Sequence, residues 1–321
     1  MTGNVLRRRK RDLRDAIFES GGRPAEPEPA PVPEALPEPT PEPPAEEPEA
    51  AIADPALVEE PVAAPRKQAW FRSEGVRLRL FPIAMASSAA LSLPLVSQTL
   101  VYFVSTRVRL PGNLDNEWGA EAYEYAMLFL VSLFSIWAAK SVLKADYGLH
   151  LPRDRSYVGS AIVWGVVLGL AMAFATWWPN IVTQQPLRGQ FDLTQDNIVG
   201  WLVARGVLQG FGEETAFRGF IVTYLLATVR GRVRFGRIEL GVGGVVAAAI
   251  VALGHLPAYF ALPVYIAFAQ QVLIFVSGVL FAFWFERSRS LLAPILGHNI
   301  SGAVEMGLIF LMVSWWGVLT G

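Results

Sequence analysis

Gly212-Glu213-Glu214-Thr215-Ala216-Phe217-Arg218 lies inside a long apolar stretch, 197–229, and its reading decides the fold. Two adjacent carboxylates near the middle of a membrane segment are costly: a charge at the centre of a spanning helix costs ~2.5–3.5 kcal/mol on insertion scales. Such a cluster is tolerated where it faces a protected polar interior, and it then needs partners. Two of the three histidines, His255 and His298, also lie in apolar stretches. Glu214 and Arg218 stand i,i+4, so they share a helix face and can pair. Glu213 points about 100° away, free to face a different cavity and to serve as a general base. The alternative for the same residues is a structural ion-pair network that locks helices together.

Composition agrees with a membrane protein. The chain has 321 residues, 53% of them hydrophobic, and a mean hydropathy of +0.37, with the apolar residues gathered in long runs. Cysteine is absent, which excludes disulfides, thiolate zinc sites and a cysteine nucleophile. There is no His-Glu-x-x-His and no Gly-x-Ser-x-Gly, so neither a zincin site nor a hydrolase-type serine triad is supported.

Seven spans are expected: 81–104, 123–143, 157–179, 197–229, 242–262, 265–285 and 291–319. The first is the weakest, with four serines, a glutamine and two prolines. The fourth would be ~50 Å long at 1.5 Å per residue, so it either extends beyond the bilayer or breaks near Gly210-Phe211-Gly212. Loop arginines and lysines alternate with the spans, which puts the N-terminus in the cytoplasm and the C-terminus outside. Residues 1–80 form a separate region. A basic run, Arg7 to Arg11, precedes a Pro/Glu/Ala stretch from Pro24 to Pro65 without a lysine or arginine. That composition is too poor in large apolar side chains to form a core, and a disordered cytoplasmic tail is expected. The fold class is therefore all-α: a polytopic transmembrane helical bundle of about seven spans, 81–321, behind a disordered tail.

The ionisable residues within the spans are few: Arg205, Glu213, Glu214, Arg218, His255, His298 and Glu305. Their order resembles the CPBP family of membrane proteins (CAAX proteases and bacteriocin-processing enzymes, the Abi family), which includes the type II CAAX prenyl endopeptidases. Glu213-Glu214-Thr-Ala-Phe-Arg218 matches that family's Glu-Glu-x-x-x-Arg. Val251-Ala-Leu-Gly-His255 matches its second motif, with Val where Phe is common. His298 begins the third motif, His-x-x-x-Asn/Asp, but Gly302 stands where Asn or Asp is expected. The resemblance runs from about 197 to 305.

This resemblance implies an intramembrane endopeptidase acting on membrane-associated proteins or peptides in the lipid bilayer. Glu213 would activate water with His255 beside it, His298 would help stabilise the oxyanion, and Glu214 and Arg218 would shape the site. A divalent metal such as zinc is left open, held if present by Glu213, His255 and His298. No nucleic-acid partner is expected, and the membrane is expected to be the plasma (inner) membrane. Gly302 favours the competing expectation of a catalytically weak or inactive scaffold, regulator or immunity protein. It also suggests that Gly302→Asn would raise activity if the cavity has room.

Overall fold

The computed structural model describes residues 71–108, 117–183, 192–236 and 238–320. Readings that concern the N-terminal stretch before residue 71, Arg109, Asp115, Arg188 and Arg237 fall outside these residues. In chain order the elements are β1 (Phe71–Arg77), α1 (Leu80–Ser105), α2 (Glu117–Lys140), α3 (Val158–Thr183), a composite helix α4 over 195–228, β2 (Arg230–Phe235), β3 (Ile238–Gly241), α5 (Val242–Gly254), the short α6 (Ala258–Ala261), α7 (Val264–Ser288) and α8 (Leu292–Thr320).

Among the described residues, six helices are long and apolar enough to cross a membrane: α1, α2, α3, the α5–α6 stretch, α7 and α8. The seventh expected span is α4, a helical run that carries most of the buried charge. The 26 residues of α1 extend about 39 Å at 1.5 Å per residue, enough for a hydrocarbon layer ~30 Å thick. Several of its hydroxyls are absorbed locally: Ser97 donates to the Leu93 carbonyl at 2.8 Å and Thr99 to that of Leu95 at 2.7 Å. Hydroxyls satisfied within the helix present little polarity to lipid.

Small residues let the helices approach. On α3, a Cβ added at Gly165 would lie 2.8 Å from the Gly297 carbonyl oxygen, and one at Gly169 would lie 2.6 Å from that of Ser301. This Gly-xxx-Gly stripe brings the backbones of α3 and α8 into contact, the way membrane helices associate without a hydrophobic driving force. One apolar core joins Ile221, Val222 and Leu225 of α4 to Val242 and Ala247 of α5 and to Ala282 and Phe285 of α7. A second gathers Ala161 and Leu168 of α3, Phe281 and Trp284 of α7, and Ala293 of α8.

Three features go beyond the sequence reading. The helical bundle carries a three-stranded antiparallel sheet in the order β1-β2-β3. Its first strand falls within the stretch read as tail, because β1 finds its partner more than 150 residues further on. The helix α4 does not break at Gly210–Gly212; it runs on through two π turns, Ala204–Leu208 and Thr215–Val222. The span read as 242–262 ends as a helix at Gly254, and His255, followed by Leu256-Pro257, turns the chain.

Candidate active site

The site is built on α4 and α8. Pro294 in the first turn of α8 has no N–H and so needs no intrahelical acceptor, and the Ser290 hydroxyl accepts from the Leu292 N–H at 3.2 Å. The Leu291 N–H is tied to the Gly148 carbonyl at 3.0 Å. This fixes the start of α8, and His298 follows two turns in. Gly297 beside it leaves room for Trp284, whose ring would stand 2.7 Å from an added Cβ.

Glu213 and Glu214 diverge by one helical step, and the imidazole of His298 sits between them. Its Nδ1 is 2.7 Å from Glu214 Oε1, and its Nε2 is 3.7 Å from Glu213 Oε2. With Nδ1 turned to Glu214, Nε2 is the nitrogen presented to Glu213 and the cavity. Arg218 Nη1 donates to the same Glu214 oxygen at 2.9 Å. The arginine also reaches the Gly278 carbonyl on α7 at 3.4 Å, and its guanidinium lies 5.2 Å from the Phe281 ring centre. Glu214 is fully buried and Arg218 nearly so. Glu213 is only partly buried and accepts from Gln209 Nε2 at 3.2 Å.

Glu213, His255 and His298 line one cavity of about 400 Å³, together with Arg205, Gln209 and Glu305. His255 Nδ1 donates to the Val251 carbonyl at 2.9 Å, so its Nε2 is the free nitrogen. It makes no hydrogen bond to Glu213 in this structure, and it stands exposed at the end of α5.

Two side-chain contacts fasten the helices around the cavity. Arg205 pairs with Glu121 of α2, Nε to Oε2 at 2.8 Å and Nη2 to Oε1 at 2.9 Å. Glu121 lies one turn into α2, which begins at Glu117, ahead of the expected 123. Asn299 Oδ1 accepts from the Gly210 N–H at 2.8 Å, just past the π turn where the Gln209 N–H reaches back to the Ala204 carbonyl. Its side chain is thus committed to binding α4 to α8. The signal available for both was modest: an acid one turn into an apolar helix, and an amide facing Gly210.

Gly302 is a contact, with no space beside it. A Cβ there would lie 2.4 Å from the Arg205 carbonyl oxygen. The condition set for Gly302→Asn, room in the cavity, is therefore not met: the added side chain would start against the backbone of α4.

Among the described residues no three His, Asp or Glu side chains are placed to share a metal ion. Each His Nδ1 is engaged, one with Glu214 and the other with the Val251 carbonyl, which leaves the two Nε2 atoms as the available nitrogens.

Residues 195–304 match the family model of the type II CAAX prenyl endopeptidases, Rce1-like. The match covers roughly a third of the chain and takes in the Glu213–Arg218 cluster, His255 and His298. This segment is similar to a family of membrane proteases, which supports peptidase activity in general terms. No match was found among curated proteins or among solved structures.

Proposed function

We propose that the protein is an intramembrane endopeptidase that hydrolyses peptide bonds of membrane-associated proteins or peptides with a Glu/His-activated water. The observation that carries this reading is the pair of carboxylates bracketing His298 at the wall of a cavity shared with His255. Glu213, partly exposed to the cavity, takes a proton from water as the water oxygen adds to the carbonyl carbon. It returns that proton to the leaving amine as the C–N bond breaks. His298 donates from Nε2 to the developing oxyanion in the form that carries a proton on both ring nitrogens, and His255 orders the water. Glu214, held by Arg218, keeps His298 in one orientation, a positioning role supported by its 2.7 Å contact.

No step in this reading passes through a metal. The activity is assigned to the bundle, 81–321 with β1, and its core to about 197–305. The loop charges favour a cytoplasmic N-terminus and an external C-terminus in the plasma (inner) membrane.

The test is a mass-spectrometric search for cleavage products. Wild type and Glu213→Gln are reconstituted side by side with a library of membrane peptides, with and without a chelator. Products that require Glu213 and survive chelation are expected. Products that vanish with the chelator would overturn the metal-free reading, and none at all would favour the scaffold or immunity role.

A further inference from the structure

The small sheet presents its arginines on one face, and a bulge brings an extra one there. Along β2 the exposed positions are Arg230, Arg232 and Arg234, alternating with half-buried residues. Glu74 of β1 stands opposite Arg232, and Arg77 stands opposite Arg230, with a shift in register between them. The chain advances three residues on β1 while β2 advances two. With a side-chain period of two, a three-residue step would turn Arg77 to the face opposite Glu74. The extra residue restores it to the face of Arg230. Glycine makes this feasible: Gly75 has φ +60° and Gly231 φ +117°, and a Cβ on Gly231 would lie 2.7 Å from Val76 Cα.

The result is two guanidinium groups directly opposite each other across the strands, an arrangement that repels. Arg232 on the same face is paired with Glu239, and Arg234 donates to the Gly236 carbonyl at 3.0 Å. Arg77 and Arg230 make no ion pair or hydrogen bond among the described residues. After Arg77 the chain is exposed and, Arg79 apart, apolar: Leu78, Leu80 and Phe81 are 59%, 83% and 74% exposed, and a spanning helix begins at Leu80. These apolar side chains need acyl chains around them, which sets the arginine pair at headgroup depth.

We propose that Arg77 and Arg230 form a binding site for the phosphate of an anionic phospholipid headgroup, with the lipid's chains against Leu80 and Phe81. Guanidinium groups match phosphate oxygens in a bidentate fork, and the phosphate removes the repulsion that the bulge creates. The site lies on the sheet and does not depend on the proposed hydrolysis.

The full chain in detergent micelles is titrated with fluorescent phosphatidylglycerol and with fluorescent phosphatidylcholine. Wild type binds the anionic lipid saturably and more tightly. Arg77→Gln/Arg230→Gln weakens it about tenfold or more, on the scale expected for two interfacial arginines. Arg77→Lys/Arg230→Lys, which keeps the charge and the fold, falls in between, and Arg107→Gln changes nothing. Free glycerol phosphate at the same concentration does not compete. Equal affinity for the two lipids, or wild-type binding by the glutamine variant, would overturn the proposal. So would displacement of the lipid by glycerol phosphate or by a glutamate-rich peptide.

Discussion

At the scale of the residue, the site turns on one imidazole between two carboxylates. Adjacent acids on a helix cannot face the same way, so Glu213 and Glu214 approach different ring nitrogens of His298. Arg218 makes the buried member of the pair tolerable. Arg218→Ala removes one partner of the buried Glu214 and leaves it His298 alone, and a loss of ~3–5 kcal/mol is expected, read as a lowered unfolding midpoint in detergent. An unchanged midpoint would mean that the pair contributes little. The cluster was legible in the sequence because Glu213, Glu214 and Arg218 are neighbours whose helical spacing predicts their directions. Glu121 and Asn299 were not, because their partners lie 84 and 89 residues away and only the packing of α2, α4 and α8 brings them together.

At the scale of the element, small residues and π turns set how close α4 and α8 come. Hydropathy marks where a helix is buried but says nothing of an extra residue in a turn, so the two π turns of α4 were out of reach of the sequence. Gly302 follows from the same packing. Gly302→Asn is expected to destabilise the bundle by ~1–3 kcal/mol, the usual cost of overpacking, and to lower any hydrolysis. A variant as stable as wild type and more active would show that the α4–α8 contact opens.

The loop between α2 and α3 reaches α8 through the Ser290 hydroxyl, which donates to the His150 carbonyl at 2.6 Å. His150 holds its proton beyond its ordinary range, because Nδ1 donates to the Leu151 carbonyl and Nε2 pairs with Asp146. Burial works to raise the Asp146 carboxyl, but hydrogen bonds from His150 and the Gly148 N–H outweigh it and hold the group below the usual range. The His150 contribution to stability is full below its unfolded pKa and is lost as pH rises through the folded value. The Asp146 contribution is present above its unfolded pKa and is lost as pH falls through the folded one. Amide hydrogen exchange at 146–151, corrected for intrinsic rates, should therefore show most protection at mildly acidic pH. His150→Gln should flatten that dependence. A wild-type profile already flat would contradict the assignment.

At the scale of the whole molecule, the bundle was legible because bilayer spans announce themselves by length and hydropathy. The sheet was hidden because β1 and β2 are short, rich in arginine and far apart in the chain, so neither alone carries a strand signal. The sheet also places a boundary on the N-terminal region. Deleting Met1–Ala64 keeps β1 and should leave the bundle's unfolding midpoint and any hydrolysis unchanged; loss of either would assign that stretch a part in the fold.

The central claim is that Glu213 activates water at the cavity wall beside His298. Its most direct test is turnover of a cleaved membrane peptide by wild type and Glu213→Gln, reconstituted at matched amounts and matched unfolding midpoints. The account predicts hydrolysis by wild type and a fall of ~10²–10⁴-fold in the variant, the range of a lost general base. Equal rates in the two proteins would contradict it.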